Sequence, residues 1–168
     1  MAESEQILDV YWEHPTGGRT LPALLAEGEN LDTRLAENGH VLYMLLGRHP
    51  SAGANQLIYI GRSIDPPRRL SEHERWAALE PDELEVRLAS VGEFETWEAW
   101  NEDERPRYPQ ASIEVVSFVE HLLIYSHQSP YNAKCLKTCP LLSDSHARVF
   151  NTGRSGPLLP EVSTRRYH

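Results

Sequence analysis

The chain has 168 residues, 40% of them hydrophobic, and a formal net charge of −9 at pH 7. This length fits one domain with a real hydrophobic core and is short for two, and the acidic balance argues against a protein that binds nucleic acid over a broad basic surface. No apolar run approaches the roughly 18 residues of a membrane span, and no basic start precedes an apolar run of signal length. The sequence therefore predicts a cytoplasmic protein that makes no use of a membrane.

The charge is spread unevenly along the chain. Residues 41–71 contain 4 basic and 1 acidic residues, and residues 133–168 contain 6 basic and 2 acidic residues, whereas residues 1–40 and 72–104 are strongly acidic. If the protein binds a polyanion, the two basic segments are where it does so. The alternative is that they are solvated faces of an ordinary acidic protein.

The N-terminal 39 residues carry no recognisable chemistry. A short strand is predicted within residues 7–12, and short helices within residues 21–26 and 30–35. We expect this segment, residues 1–39, to be an extension that packs on the core or contacts a partner.

Two apolar runs of strand length follow, at residues 40–46 and 57–60. They are joined by a polar loop at residues 47–55 that contains glycine and proline, so the pattern predicts an antiparallel hairpin with a long loop. The second strand carries Tyr59 and ends at Gly61, where backbone can approach a ligand closely because no Cβ intervenes.

A helix is predicted directly after this strand. Asp65 is a suitable N-cap, prolines follow it in the first turn, and the helix should run past Trp76. It carries Arg68, and it places Arg69 and His73 on one face because they are four residues apart. A tyrosine hydroxyl, a bidentate donor and a proton-transfer group together suit the handling of a phosphate.

The remaining elements are a third strand and a long helix. Alternation predicts a half-buried strand at residues 84–91, and an acidic insertion spans about residues 92–110. Residues 111–128 form the strongest helical pattern, with Glu120 on its apolar stripe. A carboxylate there is costly unless it is paired, hydrogen-bonded or bound to a metal, so two interpretations stay open: a metal ligand, or an acid at the edge of the stripe paired with an arginine.

The C-terminal segment, residues 135–168, is basic and rich in Pro, Gly, Ser and Arg, and we expect it to be mostly irregular. Its two cysteines, Cys135 and Cys139, do not make a disulfide framework and are most simply free thiols. With His146 they would supply three zinc ligands, but the fourth is not obvious.

The order of these motifs along the chain resembles that of the GIY-YIG nuclease family over about residues 40–134. The first motif appears as Val41-Leu42-Tyr43 and the second as Tyr59-Ile60-Gly61. The pattern that follows the second motif is matched by Arg62, Ser63, Asp65, Arg69 and His73. The family's metal-binding glutamate falls on Glu120, and its closing asparagine falls on Asn132 in Ser129-Pro130-Tyr131-Asn132. The chain departs from the pattern at Val41, where the family has glycine, and in the longer loop and acidic stretch.

The resemblance implies an α+β domain at residues 40–134, with a small three-stranded, mainly antiparallel sheet flanked by helices. It implies a metal-dependent endonuclease that hydrolyses DNA phosphodiester bonds in restriction, phage defence, repair or mobile-element biology. Double-stranded DNA is the favoured partner, and one Mg²⁺ or Mn²⁺ is expected per site. A homodimer or a protein partner bound through the acidic segments stays open.

The resemblance also implies a role for each site residue. Glu120 binds the divalent ion, Tyr43 is the candidate general base, His73 assists the proton transfer, and Tyr59 orients the water or supports Tyr43. Arg69 neutralises the pentavalent centre, Arg62 and Arg68 hold the phosphate, and Gly61 and Asn132 support the site.

Three other interpretations stay open. In the structural one, Tyr43 and Tyr59 are core residues of the hairpin, Arg69 is a surface charge and His73 is a satisfied neighbour. In the second, the domain is a nucleic-acid- or protein-binding module whose catalysis is weak or depends on a partner, as the acidic charge outside the motif suggests. The third is a nuclease toxin, which would need an immunity protein.

Overall fold

The computed structural model describes residues 5–12, 20–27, 40–72, 83–94, 111–142 and 145–167. The described strands are β1 (Glu5–Trp12), β2 (Val41–His49), β3 (Gly53–Ser63), β4 (Glu85–Glu93), β5 (His146–Gly153) and β6 (Glu161–Ser163), and the helices are α1 (Leu21–Glu27), α2 (Pro66–Ser71) and α3 (Ile113–His127). A single 3₁₀ turn, Thr164–Arg166, follows β6. None of the described helices is long and apolar enough to cross a membrane. The second predicted N-terminal helix, the continuation of α2 past Trp76 and most of the acidic insertion lie outside the described residues.

The described strands form one mixed sheet in the order β3-β2-β4-β1-β5-β6. Every neighbouring pair is antiparallel except β1 and β5, which are parallel. The α+β class is as expected, but the predicted count of three strands is wrong. The three strands predicted for the domain are β3, β2 and β4, and the short strand predicted within residues 7–12 is β1. The sheet continues because β1 pairs with β4 and also with β5, which pairs with β6.

The C-terminal segment contributes two strands to the sheet, β5 and β6, that the sequence did not predict. Buried and partly exposed residues alternate through β5, with Ala147, Val149 and Asn151 turned inward. This alternation is typical of a strand. β5 pairs with β1 in parallel, from Glu5 opposite His146 to Trp12 opposite Gly153.

The sheet has a hydrophobic core on each side, and neighbouring residues of β2 face different cores. Leu42 and Met44 pack in the core that contains α3, whereas Tyr43 and Leu45 pack in the core that contains residues of α1 and α2. Successive side chains of a strand point to opposite faces of a sheet. The first tyrosine therefore lies on the α1 and α2 side.

The β2–β3 hairpin is longer and more tightly connected than its sequence suggested. Most of the predicted loop is paired strand, with His49 opposite Gly53. The register shifts beside Leu45, which pairs with Tyr59, because Ile58 is an extra residue on β3. Such a bulge strengthens the local twist, and here it leaves Ile58 and Tyr59 in the same core.

The open edge of β3 is covered by the segment that follows α3. The side chain of Asn132 accepts a hydrogen bond from the Ile60 amide at 3.0 Å and donates one to the Ile60 carbonyl at 2.8 Å. The Tyr131 amide donates to the Ile58 carbonyl at 3.2 Å, and the Ser129 hydroxyl donates to the Asn132 oxygen. These bonds satisfy backbone groups that an edge strand would otherwise expose, and they tie the end of α3 to the strand that carries Tyr59.

The C-terminal segment also docks on α3, through His127. The Leu159 amide donates to His127 Nε2 at 2.9 Å, and His127 Nδ1 lies 2.9 Å from the Leu123 carbonyl oxygen. Because Nε2 accepts, the proton of the neutral ring is on Nδ1, which donates to that carbonyl. Burial lowers the pKa of His127, since charging the ring would cost solvation and would lose the Leu159 bond.

Asn132→Ala should lower the free energy of unfolding by about 2–4 kcal/mol, because it leaves both polar groups of Ile60 without their partners and each unsatisfied buried group costs about 1–3 kcal/mol. Urea unfolding measures the change. Gln56→Ala is the matched control on the same strand, since over the described residues its amide bonds the Ala54 carbonyl alone, at an exposed position. It should stay within about 0.5 kcal/mol of the original protein. Equal stability of the two variants would contradict the role given to Asn132.

The docking through His127 should make the fold sensitive to acid. Because the folded pKa lies below the unfolded value of about 6.5, the unfolded chain binds more protons just below pH 6.5, so this contribution is complete above pH 6.5 and is lost as the pH falls below it. His127→Gln keeps an acceptor for Leu159 but does not titrate. Urea unfolding at about pH 7.5 and about pH 5.5 should show a smaller stability loss in the variant, with slopes that differ by at most about 1.4 kcal/mol per pH unit. If the unfolding free energies of the two proteins changed equally with pH, His127 would not be the buried neutral group that makes the fold sensitive to acid.

Candidate active site

A cleft of about 680 Å³ opens where β3 ends and α2 begins. Its walls come from β3, α2, α3 and the segment after Asn132. Six predicted site residues line it: Tyr59, Arg62, Arg68, Arg69, Glu120 and Asn132. Tyr43 and Gly61 lie next to Tyr59, and His73 lies outside the described residues. Elements separated by more than 70 residues in the chain therefore contribute to one cavity.

The two tyrosines are packed together over Gly61. Their ring centroids are 6.0 Å apart with an interplanar angle of 27°. A Cβ on Gly61 would lie 2.6 Å from Tyr43 Cζ and Oη and 2.8 Å from Tyr59 Cε1, distances that no ordinary side-chain packing allows. Gly61 pairs directly with Tyr43 across the hairpin, so its missing side chain makes room for the Tyr43 ring over the edge strand.

Tyr43 itself is fully buried, and of the two tyrosines only Tyr59 lines the cleft. Burial raises the pKa of Tyr43 above its ordinary value, and the neighbouring Tyr59 adds to the shift through charge repulsion and a side-chain hydrogen bond. The Arg69 guanidinium acts in the opposite direction. At neutral pH the Tyr43 hydroxyl is thus protonated.

Glu120 forms an ion pair with Arg62 in the cleft. Arg62 Nε donates to Glu120 Oε2 at 2.9 Å, and the two side chains are 30% and 21% exposed. Burial raises the pKa of Glu120, and Arg62 opposes this shift. This is the pairing expected of an acid at the edge of the apolar stripe that is neutralised by an arginine. It occurs in a cavity that a ligand can enter.

His40 makes the second contact of Arg62. Its Nδ1 lies 3.4 Å from Arg62 Nη1, and burial followed by the positive charge of Arg62 lowers the pKa of His40. Arg62 is opposite Leu42 in the hairpin, and His40 precedes Leu42 by two residues. The side chains of Arg62 and His40 therefore leave the sheet on the same face. Arg62, His40 and Glu120 thus form a short chain of polar contacts.

The start of α2 is locked by local hydrogen bonds. Asp65 Oδ1 accepts from the Arg68 amide at 3.1 Å, and Ser63 Oγ accepts from the Asp65 amide at 2.9 Å. Arg68 Nε pairs with Glu72 at 3.2 Å, and both side chains are more than half exposed. Arg69 is also exposed, and within the described residues no carboxylate forms an ion pair with it. Of the two helix arginines, Arg69 is therefore the one available to a ligand.

The cleft is less acidic than the chain. Among its lining residues the basic ones are Arg62, Arg68, Arg69 and Lys134, and the acidic ones are Asp65, Glu72 and Glu120. The balance of +1 contrasts with −9 for the whole protein, which makes the cleft a local site for an anion. Lys134, His40 and Cys135 were not predicted as site residues. Lys134 had a weak signal, since it is basic and follows Asn132 by two residues.

The residues present fit one hard divalent cation at Glu120. Such ions use one or two carboxylates and complete their coordination with water and phosphate oxygens. Asp65 caps a helix, Glu72 pairs with Arg68 and Glu120 pairs with Arg62. Glu120 is the less exposed of the two paired carboxylates, 21% against 52% for Glu72, and the ion would have to share it with Arg62. Over the described residues there is no group of three or more His, Cys, Asp or Glu side chains able to hold a metal. Cys135, Cys139 and His146 accordingly form no such group.

No family model, curated protein or solved structure matches the chain.

Gly61→Ala should destabilise the protein by about 1–3 kcal/mol, because the added methyl overpacks the two tyrosine rings. The cost should be smaller in a Tyr43→Leu background, where the larger of the two obstructions is gone. Urea unfolding of the four proteins in this double-mutant cycle should give a coupling energy of about 0.5–3 kcal/mol. Additive effects of the two substitutions would show that Gly61 has another role.

Proposed function

We propose that this protein is a metal-dependent endonuclease with a GIY-YIG-like fold that hydrolyses DNA phosphodiester bonds. The observation that carries the proposal is the convergence of Tyr59, Arg62, Arg69 and Glu120, from three separate elements, on one cleft. A hydroxyl, two guanidinium groups and a carboxylate are the groups that this hydrolysis needs. The β3-β2-β4 part of the sheet, with α2 and α3 beside it, agrees with the fold that the resemblance implies.

The arginines supply charge for the phosphate. Arg69 is exposed at the cleft, so it is the residue we assign to the charge that develops on phosphorus. Arg62 and Arg68 bind nonbridging oxygens when they leave their carboxylate partners, because guanidinium groups match phosphate geometry. Lys134, which also lines the cleft, adds a further positive charge there.

The tyrosine pair handles the water. We assign water orientation to Tyr59, because it lines the cleft, and proton acceptance to the hydrogen-bonded pair that it forms with Tyr43. Because burial raises the pKa of Tyr43, the pair accepts a proton only when nearby positive charge lowers that pKa. The charge of Arg69 already acts in this direction. His73 stays the predicted assistant in this transfer, and Asn132 supports the strand without reacting.

Glu120 is the residue that would hold Mg²⁺ or Mn²⁺. The bound cation supplies charge stabilisation at the phosphate and at the leaving oxygen. The contribution of the chain is a half-buried carboxylate on helix α3, whose pKa is raised by burial while the charges of Arg62 and then Arg69 oppose that rise. We expect the activity in restriction, phage defence, repair or mobile-element biology.

Plasmid DNA incubated with the protein and Mg²⁺ should be nicked or linearised, and a chelator should prevent this. Glu120→Gln and Arg69→Ala should each lower the rate at least about 100-fold, since each removes charge used in the transition state. Arg48→Ala is the control, because Arg48 is an exposed arginine outside the cleft that faces Glu83 at 3.8 Å. A protein inert on single- and double-stranded DNA and RNA with either metal, or a fully active Glu120→Gln variant, would contradict the proposal.

A binding module is the second candidate, and the ion pair between Arg62 and Glu120 favours it, because that pair engages the carboxylate on which catalysis depends. In this case a stable protein or nucleic-acid complex would form without hydrolysis. Capture of that partner should then be as efficient with Glu120→Gln as with the original chain.

A further inference from the structure

The ion pair between Arg62 and Glu120 occupies the position that the proposed function gives to a metal ion. Arg62 Nε bonds Glu120 Oε2 at 2.9 Å, and its Nη1 lies 3.4 Å from His40 Nδ1. The guanidinium comes from β3 and the carboxylate from α3, and both side chains line the cleft. The carboxylate is thus already neutralised by a charge that belongs to the chain.

A divalent cation cannot simply be added to this arrangement. It would share an oxygen with Arg62 and would face two positive side chains, Arg62 and Arg69, in a half-buried site where solvent screens charges poorly. A metal ion that arrives alone therefore pays for separating the pair and gains little.

A phosphodiester lowers the cost of separating Arg62 from Glu120. Its anionic oxygens accept hydrogen bonds from a guanidinium in the same forked geometry as a carboxylate, so Arg62 exchanges one acceptor for another. The charge of the cation is then balanced by Glu120 and the phosphodiester together. Each ligand removes the obstacle to the other.

We propose that Arg62 is an internal counter-ion of Glu120 that a divalent cation and a phosphodiester displace together, so that the two ligands bind the cleft with positive cooperativity. This inference rests on the proposed function for the assignment of the cation to Glu120. Arg62 is then a group that keeps the cleft closed to metal until the substrate phosphate is present, and His40 holds the guanidinium beside the carboxylate in the resting state.

Mn²⁺ binding, followed by the loss of the free-ion electron paramagnetic resonance signal, tests the exchange without any activity assay. In the absence of nucleic acid, Arg62→Gln should bind Mn²⁺ about tenfold more tightly than the original chain, because the competing charge is gone. Arg48→Gln, which removes an exposed arginine outside the cleft, should leave the affinity unchanged. The Glu120→Gln variant should lose the site in either background.

The reciprocal measurement uses a dithymidine with one phosphorothioate linkage. It should tighten Mn²⁺ binding to the original chain about fivefold or more and should have little effect on Arg62→Gln, since the coupling passes through Arg62. Glu120→Gln with the same dinucleotide corrects for Mn²⁺ held by the phosphate alone.

The exchange is overturned if Arg62→Gln binds Mn²⁺ no more tightly than the original chain, or if Mn²⁺ binding does not depend on Glu120. In both cases the plasmid assay still decides separately whether the protein hydrolyses DNA. If circular dichroism shows that Arg62→Gln does not fold, Arg62→Lys replaces it. The lysine keeps the charge but not the Nε contact, so it should raise the Mn²⁺ affinity by a smaller factor, and an unchanged affinity would overturn the exchange.

Discussion

The hydrogen bonds between the Asn132 side chain and the Ile60 backbone hold the two halves of the cleft together. β3 lies at the edge of the sheet, so the polar groups of Ile60 have no neighbouring strand on that side. Asn132 provides both partners, and it follows α3 by a short segment that also bonds Ile58. Because α3 carries Glu120 and β3 carries Arg62, this clamp fixes one against the other. The asparagine thereby positions the two charged residues of the cleft.

The cleft depends equally on the edge position of β3. Tyr59 packs on the face of the sheet that bears α1 and α2, Arg62 leaves the face that bears α3, and both line the cleft. Such side chains approach a common cavity only around an open edge. Gly61 permits the approach, because any side chain there would strike both tyrosine rings. In the described structure this edge is covered by the segment that contains Tyr131 and Asn132.

The sequence predicted the parts of the fold that local patterns encode. Asp65 caps α2 as expected, and α3 and the β2–β3 hairpin follow their apolar periodicity. The parallel pairing of β1 with β5 was missed because it joins segments about 140 residues apart, and no local signal reports such a pairing. The Pro, Gly and Ser content of the tail also obscured the alternation in β5. Within the site, the residue types were predictable, but their depth was not: the burial of Tyr43 and the contact of His40 with Arg62 depend on register and packing.

The ion pair at Glu120 is a poor device for stability alone. Burial raises the pKa of the carboxylate even with Arg62 beside it, so the charged form is held at a net cost. Partly buried ion pairs are often replaceable by apolar residues without loss of stability, and the apolar stripe of α3 around Glu120 would accommodate such a residue. A costly carboxylate that faces a cavity, shares it with an exposed Arg69 and is neutralised by a group able to bind phosphate is better explained by a ligand than by packing. Under the proposed exchange, the structural and the functional interpretations of Glu120 describe two states of one site.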